Sequence, residues 1–379
     1  MKILYVASDQ VIPGTTGGSV HVLEVARGLA ERGHEVHAVV HAQRSAPDRE
    51  LVHGVHLHRI AWFPDHRFFR LRARPRIEAL ARELRPDVVM ERYYNFGGEG
   101  VLSARRLGVP SLLEVNSPVI DHPGSLKALL DGLLVVRPLQ RHRERLVLHA
   151  KALVSPLLAI VPEFARAKTE TVSWGANVAS FAPHRRSDAV RDALGIPHGS
   201  VAMLFSGSFR PWHGVHVFEE AARRLAGRVD LFFLLAGGAA TDAAVGYRGR
   251  RLGPQPYDRM PELVAACDVG VAPYDTARLS QLALGFYWSP LKIFEYMASG
   301  LPTLTIPCPP LTEIVRDGQE GLHFRERDAA DLAEKIGRLA DDPALRRRLG
   351  AGARERVVAR YSWQRHCEQL EAVLERIAA

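Results

Sequence analysis

The sequence predicts an α/β protein made of two doubly wound units, and three observations carry that prediction. Short apolar runs alternate with amphipathic helical stretches twice along the chain, the pattern of parallel sheets covered by helices on both faces. The segment from Trp174 to Pro183 interrupts this alternation with Gly175, Asn177 and Pro183. The length of 379 residues suits two domains, each able to bury a core without staples.

In the first series, Lys2 to Ala7 reads as a strand, followed by a glycine-bearing loop and a helix from about Ser19 to Arg32 that stops at Gly33. Glu35 to His41, Val55 to Ile60, Asp87 to Glu91, Ser111 to Val115 and Ala152 to Ser155 continue the strands. Arg76 to Leu84 and Gly97 to Leu107 have helical periodicity. The second series runs through Val201 to Ser206, Leu231 to Ala236, Asp268 to Pro273 and Thr303 to Ile306, and helices over Pro343 to Ala359 and Ser362 to Ile377 close the chain. The expected architecture is two Rossmann-like domains, residues 1–178 and 184–360, facing each other across a cleft, with the last helix (about 361–379) packed back on the first. Open parallel sheets bind ligands at the carboxyl ends of their strands.

Composition narrows the function classes. With 47% hydrophobic and 24% charged residues the chain is neither disordered nor an integral membrane protein. No run reaches the ~18 apolar residues of a membrane span, and Met1 to Ser8 lacks the features of a signal peptide. Cys267, Cys308 and Cys367 lie far apart with no C-x-x-C pair, which predicts packed thiols in a reducing, cytoplasmic compartment. Of the net charge of +8, +6 falls in Met1 to Val178, a field suited to phosphates or anionic lipid.

The most informative stretch is Ser289-Pro290-Leu291-Lys292-Ile293-Phe294-Glu295-Tyr296-Met297-Ala298-Ser299-Gly300. Ser289 suits an N-cap, Pro290 the first helical position and Gly300 a left-handed stop. The amides of Leu291 and Lys292 then point outward beside an ammonium, which makes an anion site. Glu295 follows ~9 Å further along the helix, about the distance from a pyrophosphate to its own ribose. The plain alternative is a surface lysine and a solvated glutamate on an ordinary amphipathic helix.

These residues, continued by Leu301-Pro302, resemble the donor-nucleotide helix of retaining glycosyltransferases with the GT-B fold, family 4. Gly17-Gly18 followed by Leu23, Leu29, Ala30 and Arg32-Gly33-His34-Glu35-Val36 is similar to that family's glycine loop and first helix. Gly207-Ser208-Phe209-Arg210-Pro211-Trp212-His213-Gly214 resembles its phosphate-contacting loop. Leu252-Gly253-Pro254, Met260-Pro261-Glu262-Leu263 and Cys267 to Pro273 are similar to the base-binding turn and the strand after it. The resemblance covers most of the chain. It implies an acceptor-binding first domain, a donor-binding second domain, transfer with retention, and diphosphate contacts from Ser208, Arg210, His213, Lys292 and the Leu291 amide.

The pattern also departs from the family. Ser208 stands at a usual arginine and His213 at a usual lysine, so Arg210 and a protonated His213 are expected to replace that charge. Of the paired glutamates eight residues apart only Glu295 is kept, and Tyr287 takes the first place. On the acceptor side, Glu114-Val115-Asn116-Ser117-Pro118, His122 and the Glu91-Arg92 pair are candidates, each equally well read as loop caps or exposed side chains.

Other constellations carry less. Gly14, Gly17 and Gly18 have the order G-x-x-G-G, which disfavours NAD and leaves the donor diphosphate or the acceptor mouth. Gly237-Gly238 reads as a second glycine loop or a tight strand-to-helix turn. His53, His56 and His58 lack a completing Cys or carboxylate and are expected to be exposed, and no D-x-D occurs, so no metal or other cofactor is expected. The basic stretch Arg67 to Arg85 and the cluster Arg137, Arg141, Arg143 and Arg145 are read as solvated helical faces. The alternative, with Phe68 and Phe69, is peripheral contact with an anionic membrane. Nucleic acid is disfavoured, because aromatic platforms do not interleave with the charge.

The resulting expectation is a nucleotide-sugar-dependent hexosyltransferase, UDP-sugar before GDP-sugar, acting on a saccharide, lipid-linked or small-molecule hydroxyl. Asn116 joins Arg210, His213, Lys292 and Glu295 at the reacting centre. Donor contacts come from Gly17, Gly18, Ser208, Gly253, Tyr287, Ser289, Pro290 and Leu291, and acceptor contacts from Glu91, Arg92 and His122. A nucleotide-sugar epimerase or glycosyl phosphorylase on the same fold, or a non-catalytic basic binding protein, are the competing readings.

Overall fold

A computed structural model describes residues 1–14, 16–43, 46–94, 97–122, 124–134, 136–241, 246–287 and 289–379. The chain forms two compact units, Met1–Trp174 with Tyr287–Ser289 and Trp363–Ala379, and Gly175–Phe286 with Pro290–Ser362.

In the first unit the strands are β1 (Lys2–Ala7), β2 (Glu35–His41), β3 (Arg49–Val52), β4 (Val55–Ile60), β5 (Val88–Tyr93), β6 (Ser111–Val115), β7 (Ala152–Ser155) and β8 (Thr169–Thr171). They lie in the order β3-β4-β2-β1-β5-β6-β7-β8, parallel throughout except the β3–β4 pair. β1 and β5 are buried along nearly their whole length because helices cover both faces, which explains the apolar runs Ile3 to Ala7 and Val88 to Met90. The helices are α1 (Gly17–Glu31), α2 (Arg74–Leu84), α3 (Glu99–Leu107), α4 (Leu126–Leu133) and α5 (Pro138–His149). Thr16 caps α1 by accepting the Ser19 amide.

The second unit has β9 (Val201–Ser206), β10 (Leu231–Thr241), β11 (Gly249–Gly253), β12 (Val269–Ala272), β13 (Thr303–Thr305) and β14 (Gly321–His323), ordered β11-β10-β9-β12-β13-β14 and parallel throughout. Its helices are α6 (Asp188–Ala193), α7 (Val215–Arg224), α8 (Met260–Ala265), α9 (Leu291–Ala298), α10 (Leu311–Ile314), α11 (Ala329–Asp341) and α12 (Pro343–Arg360). The final helix, α13 (Trp363–Ala378), belongs to the first unit and packs on α1 and on β5 to β7. Each sheet reverses its strand order once, between β1 and β5 and between β9 and β12. Ligands of such sheets bind outside the strand ends at that reversal.

Three expectations about the fold are corrected. β5 continues to Tyr93, so Glu91 and Arg92 lie within the strand. β10 runs on through Gly237 and Gly238 to Thr241, with irregular pairing, so these glycines are not a strand-to-helix turn. The basic clusters are not uniformly solvated: Arg70 and Arg143 are buried, Arg70 against Glu99 and Asp9, Arg143 against Asp121 and Asp131. Residues 67–85 and 137–145 lie on helices whose inner faces point at acidic groups far away in sequence, so charge counting alone could not sort them.

Candidate functional site

The candidate site of the second unit forms where β9 and β12 end. After Ser206 the chain turns through Gly207, at φ +148°, whose amide donates to Ala236 O at 2.9 Å. A Cβ on Gly207 would lie 2.8 Å from Lys292 Nζ and 3.2 Å from His213 Nδ1, and a Cβ on Gly237 would lie 1.8 Å from Gly207 O. Both positions therefore exclude a side chain. Two glycines bring two strand ends together under a lysine and a histidine.

Helix α9 supplies the lysine. Its Nζ is out of solvent, makes no hydrogen bond among the described residues, and sits 4.2 Å from the Phe205 ring centroid and 5.4 Å from that of Tyr274. Aromatic faces stabilise an ammonium in part but offer no acceptor. Burial lowers the Lys292 pKa to about 7, against the upward pull of Glu295. Such a group, poised near neutrality beside an open helix end, is suited to an anion. Glu295 lies one turn deeper, buried, and its Oε1 accepts the Tyr257 hydroxyl at 2.9 Å. Tyr296 anchors the helix by accepting the Ser206 amide at 2.8 Å.

Two expectations at this site are overturned. Ser289 is not the N-cap: Pro290 holds that position at φ −83°, ψ 75°, and Ser289 Oγ accepts the Trp174 amide instead. The proline ring fixes φ but leaves ψ free, so it can serve as the boundary residue as well as the first helical one. The protein's own groups do not hold a proton on His213. Burial first, then the charges of Lys292 and Arg210, push its pKa down to about 2, and its Nδ1 makes no hydrogen bond. It is a neutral imidazole in a cation-rich pocket.

The structure thus gathers Gly207, His213, Lys292 and Leu291 at one point, with Glu295 behind them. Arg210 and Ser208 project into solvent on the loop before His213. Gly253 ends β11 at φ +69°, in tight contact with Ala240. Tyr287 is buried and groups with the first unit. Trp288, between Tyr287 and Ser289, lies outside the described residues.

In the first unit, Gly18 and Arg92 meet at the end of β1: a Cβ on Gly18 would lie 2.3 Å from Gln10 Oε1 and 3.2 Å from Arg92 Nη2. Gly17 opens α1. Arg92 donates to Asp9 Oδ2 at 2.8 Å. Asn116 is buried with its Oδ1 unpartnered, and His122 is half-buried before α4. Glu91 is fully buried and accepts the amides of Gly98 and Val101, at 2.5 and 2.7 Å, which makes it a cap for α3. Burial, then Glu99, raises its pKa to about 8. Of the three histidines read as exposed, His58 is buried, 3.0 Å from His37, and burial lowers its pKa to about 4. The sequence reading also missed a buried group, His21, Glu114 and His366. No short spacing signals it, because its members come from three distant elements.

The three cysteines are free thiols: Cys267 and Cys367 are buried, Cys308 is half-buried. No described helix is long and apolar enough to cross a membrane.

Comparison with known proteins gives this geometry a family. The model for glycosyltransferase family 4 matches residues 15–156, and that for glycosyl transferases group 1 matches residues 200–342. D-inositol 3-phosphate glycosyltransferase 1 of Catenulispora acidiphila is 28% identical, over 95% of this chain and 91% of its own length. Among solved structures, sucrose-phosphate synthase from Thermosynechococcus elongatus superimposes with a TM-score of 0.75 at 19% identity, covering 99% of this chain and 98% of the other. Anabaena HepE in complex with UDP gives 0.73 at 17% identity, covering 99% and 100%. With one family domain matched in each unit and the GT-B architecture shared along the whole chain, this protein belongs to the glycosyltransferases of family 4 type.

Proposed function

We propose that the protein transfers a hexosyl group from a nucleotide sugar, a UDP-sugar before a GDP-sugar, to a hydroxyl acceptor with retention of configuration and without a catalytic metal. The observation that carries this reading is the bare Lys292 ammonium beside His213 and Gly207 at the start of α9. The second unit takes the donor: Lys292, the Leu291 and Lys292 amides and Arg210 hold the diphosphate, and Glu295 accepts from the ribose hydroxyls. His213 donates a hydrogen bond to the leaving phosphate. As the bond from the anomeric carbon to the phosphate oxygen breaks, these groups stabilise the growing charge, and that oxygen takes the acceptor's proton.

The acceptor belongs to the first unit, where Arg92, Asn116 and His122 contribute polar groups. The names of the relatives favour a small phosphorylated polyol, and Arg92 suits its phosphate. UDP in the Anabaena neighbour's complexes, one of them with UDP-glucose, supports the donor class. Incubating the protein with a panel of nucleotide sugars and polyol phosphates, with products read by mass spectrometry and the anomeric configuration by NMR, tests the reading. Transfer that is lost in Lys292→Ala and Glu295→Ala supports it. Nucleotide binding left intact in both variants would return the basic-surface alternative.

A cytoplasmic enzyme in peripheral contact with anionic membrane is the accompanying proposal. Its support is an apolar row on α4, with Leu126, Leu129 and Leu133 more than half exposed, next to the exposed Arg137, Arg141 and Arg145. Cosedimentation with vesicles containing phosphatidylglycerol, compared with neutral vesicles and with Leu129→Asp, decides it.

A further inference from the structure

The first unit holds a second polar cluster that the transfer reaction does not use. His21 on α1, Glu114 on β6 and His366 on α13 each turn one donor atom to a common point, with these atoms within 4.8 Å of one another, and all three residues are buried. His21 Nε2 lies 2.7 Å from Glu114 Oε1 as a buried ion pair, and beside it His366 Nε2 has no hydrogen-bond partner among the described residues. A buried nitrogen left unsatisfied next to a carboxylate is costly unless something joins them.

The atoms on the far side of the cluster are already oriented. His366 Nδ1 lies 2.9 Å from the Ser173 carbonyl, so this nitrogen carries the proton and Nε2 presents its lone pair inward. Glu114 Oε2 accepts the Tyr5 hydroxyl at 2.9 Å, which leaves Oε1 facing the histidines. The His21 ring is held by stacking on Trp174, with centroids 4.1 Å apart. Outer hydrogen bonds of this kind, from ring nitrogen to carbonyl and from hydroxyl to carboxylate, are how proteins orient metal ligands.

We propose that His21, Glu114 and His366 form a structural site for a divalent zinc-type cation that staples the C-terminal helix to the sheet of the first unit. Two imidazoles and one carboxylate are a zinc donor set, with one tetrahedral position remaining. The three residues are buried and come from α1, β6 and α13, so the ion's role is to tie these elements together. A tetrahedral ion with bonds of ~2.0 to 2.1 Å needs donors ~3.3 Å apart, so loading moves His21 and Glu114 apart by about half an ångström.

Zinc content of the full-length protein, measured by mass spectrometry after purification from zinc-supplemented culture and after refolding with Zn(II) alone, tests this. One zinc per chain is expected, with a melting temperature that rises with free zinc. His366→Gln loses the metal, whereas His56→Gln, in the separate histidine group on β2 and β4, keeps it. If His366→Gln does not fold, the cobalt(II)-loaded parent decides: intense ligand-field bands of a four-coordinate ion support the site, and a six-coordinate spectrum overturns it. Absence of stoichiometric zinc from the parent after both treatments, or retention in His366→Gln with loss in His56→Gln, also overturns it, and leaves a plain His21–Glu114 ion pair.

Discussion

Two groups of buried charge, one at the strand reversal of each unit, are handled in opposite ways. At the end of β1, Arg70 is fully buried but has Glu99 Oε1 at 2.7 Å and Asp9 at 3.6 Å. At the end of β9, Lys292 is buried against two aromatic rings with no carboxylate or carbonyl in hydrogen-bonding reach, and the adjacent His213 is neutral. Pairing offsets much of the cost of burying a charge, and the fold supplies pairing wherever the charge is structural. A cation left without it is held ready for a charge that arrives from outside. The difference separates a scaffold from a site.

That comparison breaks most visibly at Arg70. Arg70→Met leaves the buried Glu99 without its guanidinium partner and is expected to destabilise the first unit by ~3 to 5 kcal/mol, read from urea unfolding. Lys292→Met carries the opposite sign for stability. A lysine whose folded pKa is lowered costs stability at neutral pH, a cost that fades as pH rises toward the free-lysine value of ~10.4, so the methionine variant melts no lower than the parent. Its turnover falls ~10²- to 10³-fold, the usual consequence of removing one preorganised donor from a developing anion. A lower melting temperature in Lys292→Met would show that the ammonium is structural after all.

A smaller effect sharpens the contrast without any mutation. Lys292 titrates near 7 when the site is free, and a bound diphosphate raises that value. Between the two values binding takes up a proton, so UDP affinity declines as pH climbs above 7, and calorimetry in buffers of different ionisation enthalpy shows uptake that Lys292→Met lacks. Glu295→Gln is the mildest test. The amide still accepts from Tyr257 but loses its charge, which lowers nucleotide affinity by ~1.5 kcal/mol, with a smaller loss for the 2′-deoxynucleotide.

The alternation of apolar runs and the punctuation at Gly33, Gly300 and Pro183 determined, without coordinates, which segments become β1, β2, β4, β6, β7 and β9 and where α9 ends. The placement of Gly207 to Gly214 and of Lys292 and Glu295 was equally legible, because it is written in local backbone geometry and helix spacing. Only the tertiary structure decided the electrostatics. Whether Arg70 is solvated, whether His213 carries a proton, what Ser289 bonds to, and whether His21, Glu114 and His366 converge depend on partners brought in from other elements. Charge state and hydrogen bonding follow from burial and distance in three dimensions, and local periodicity carries no information about either.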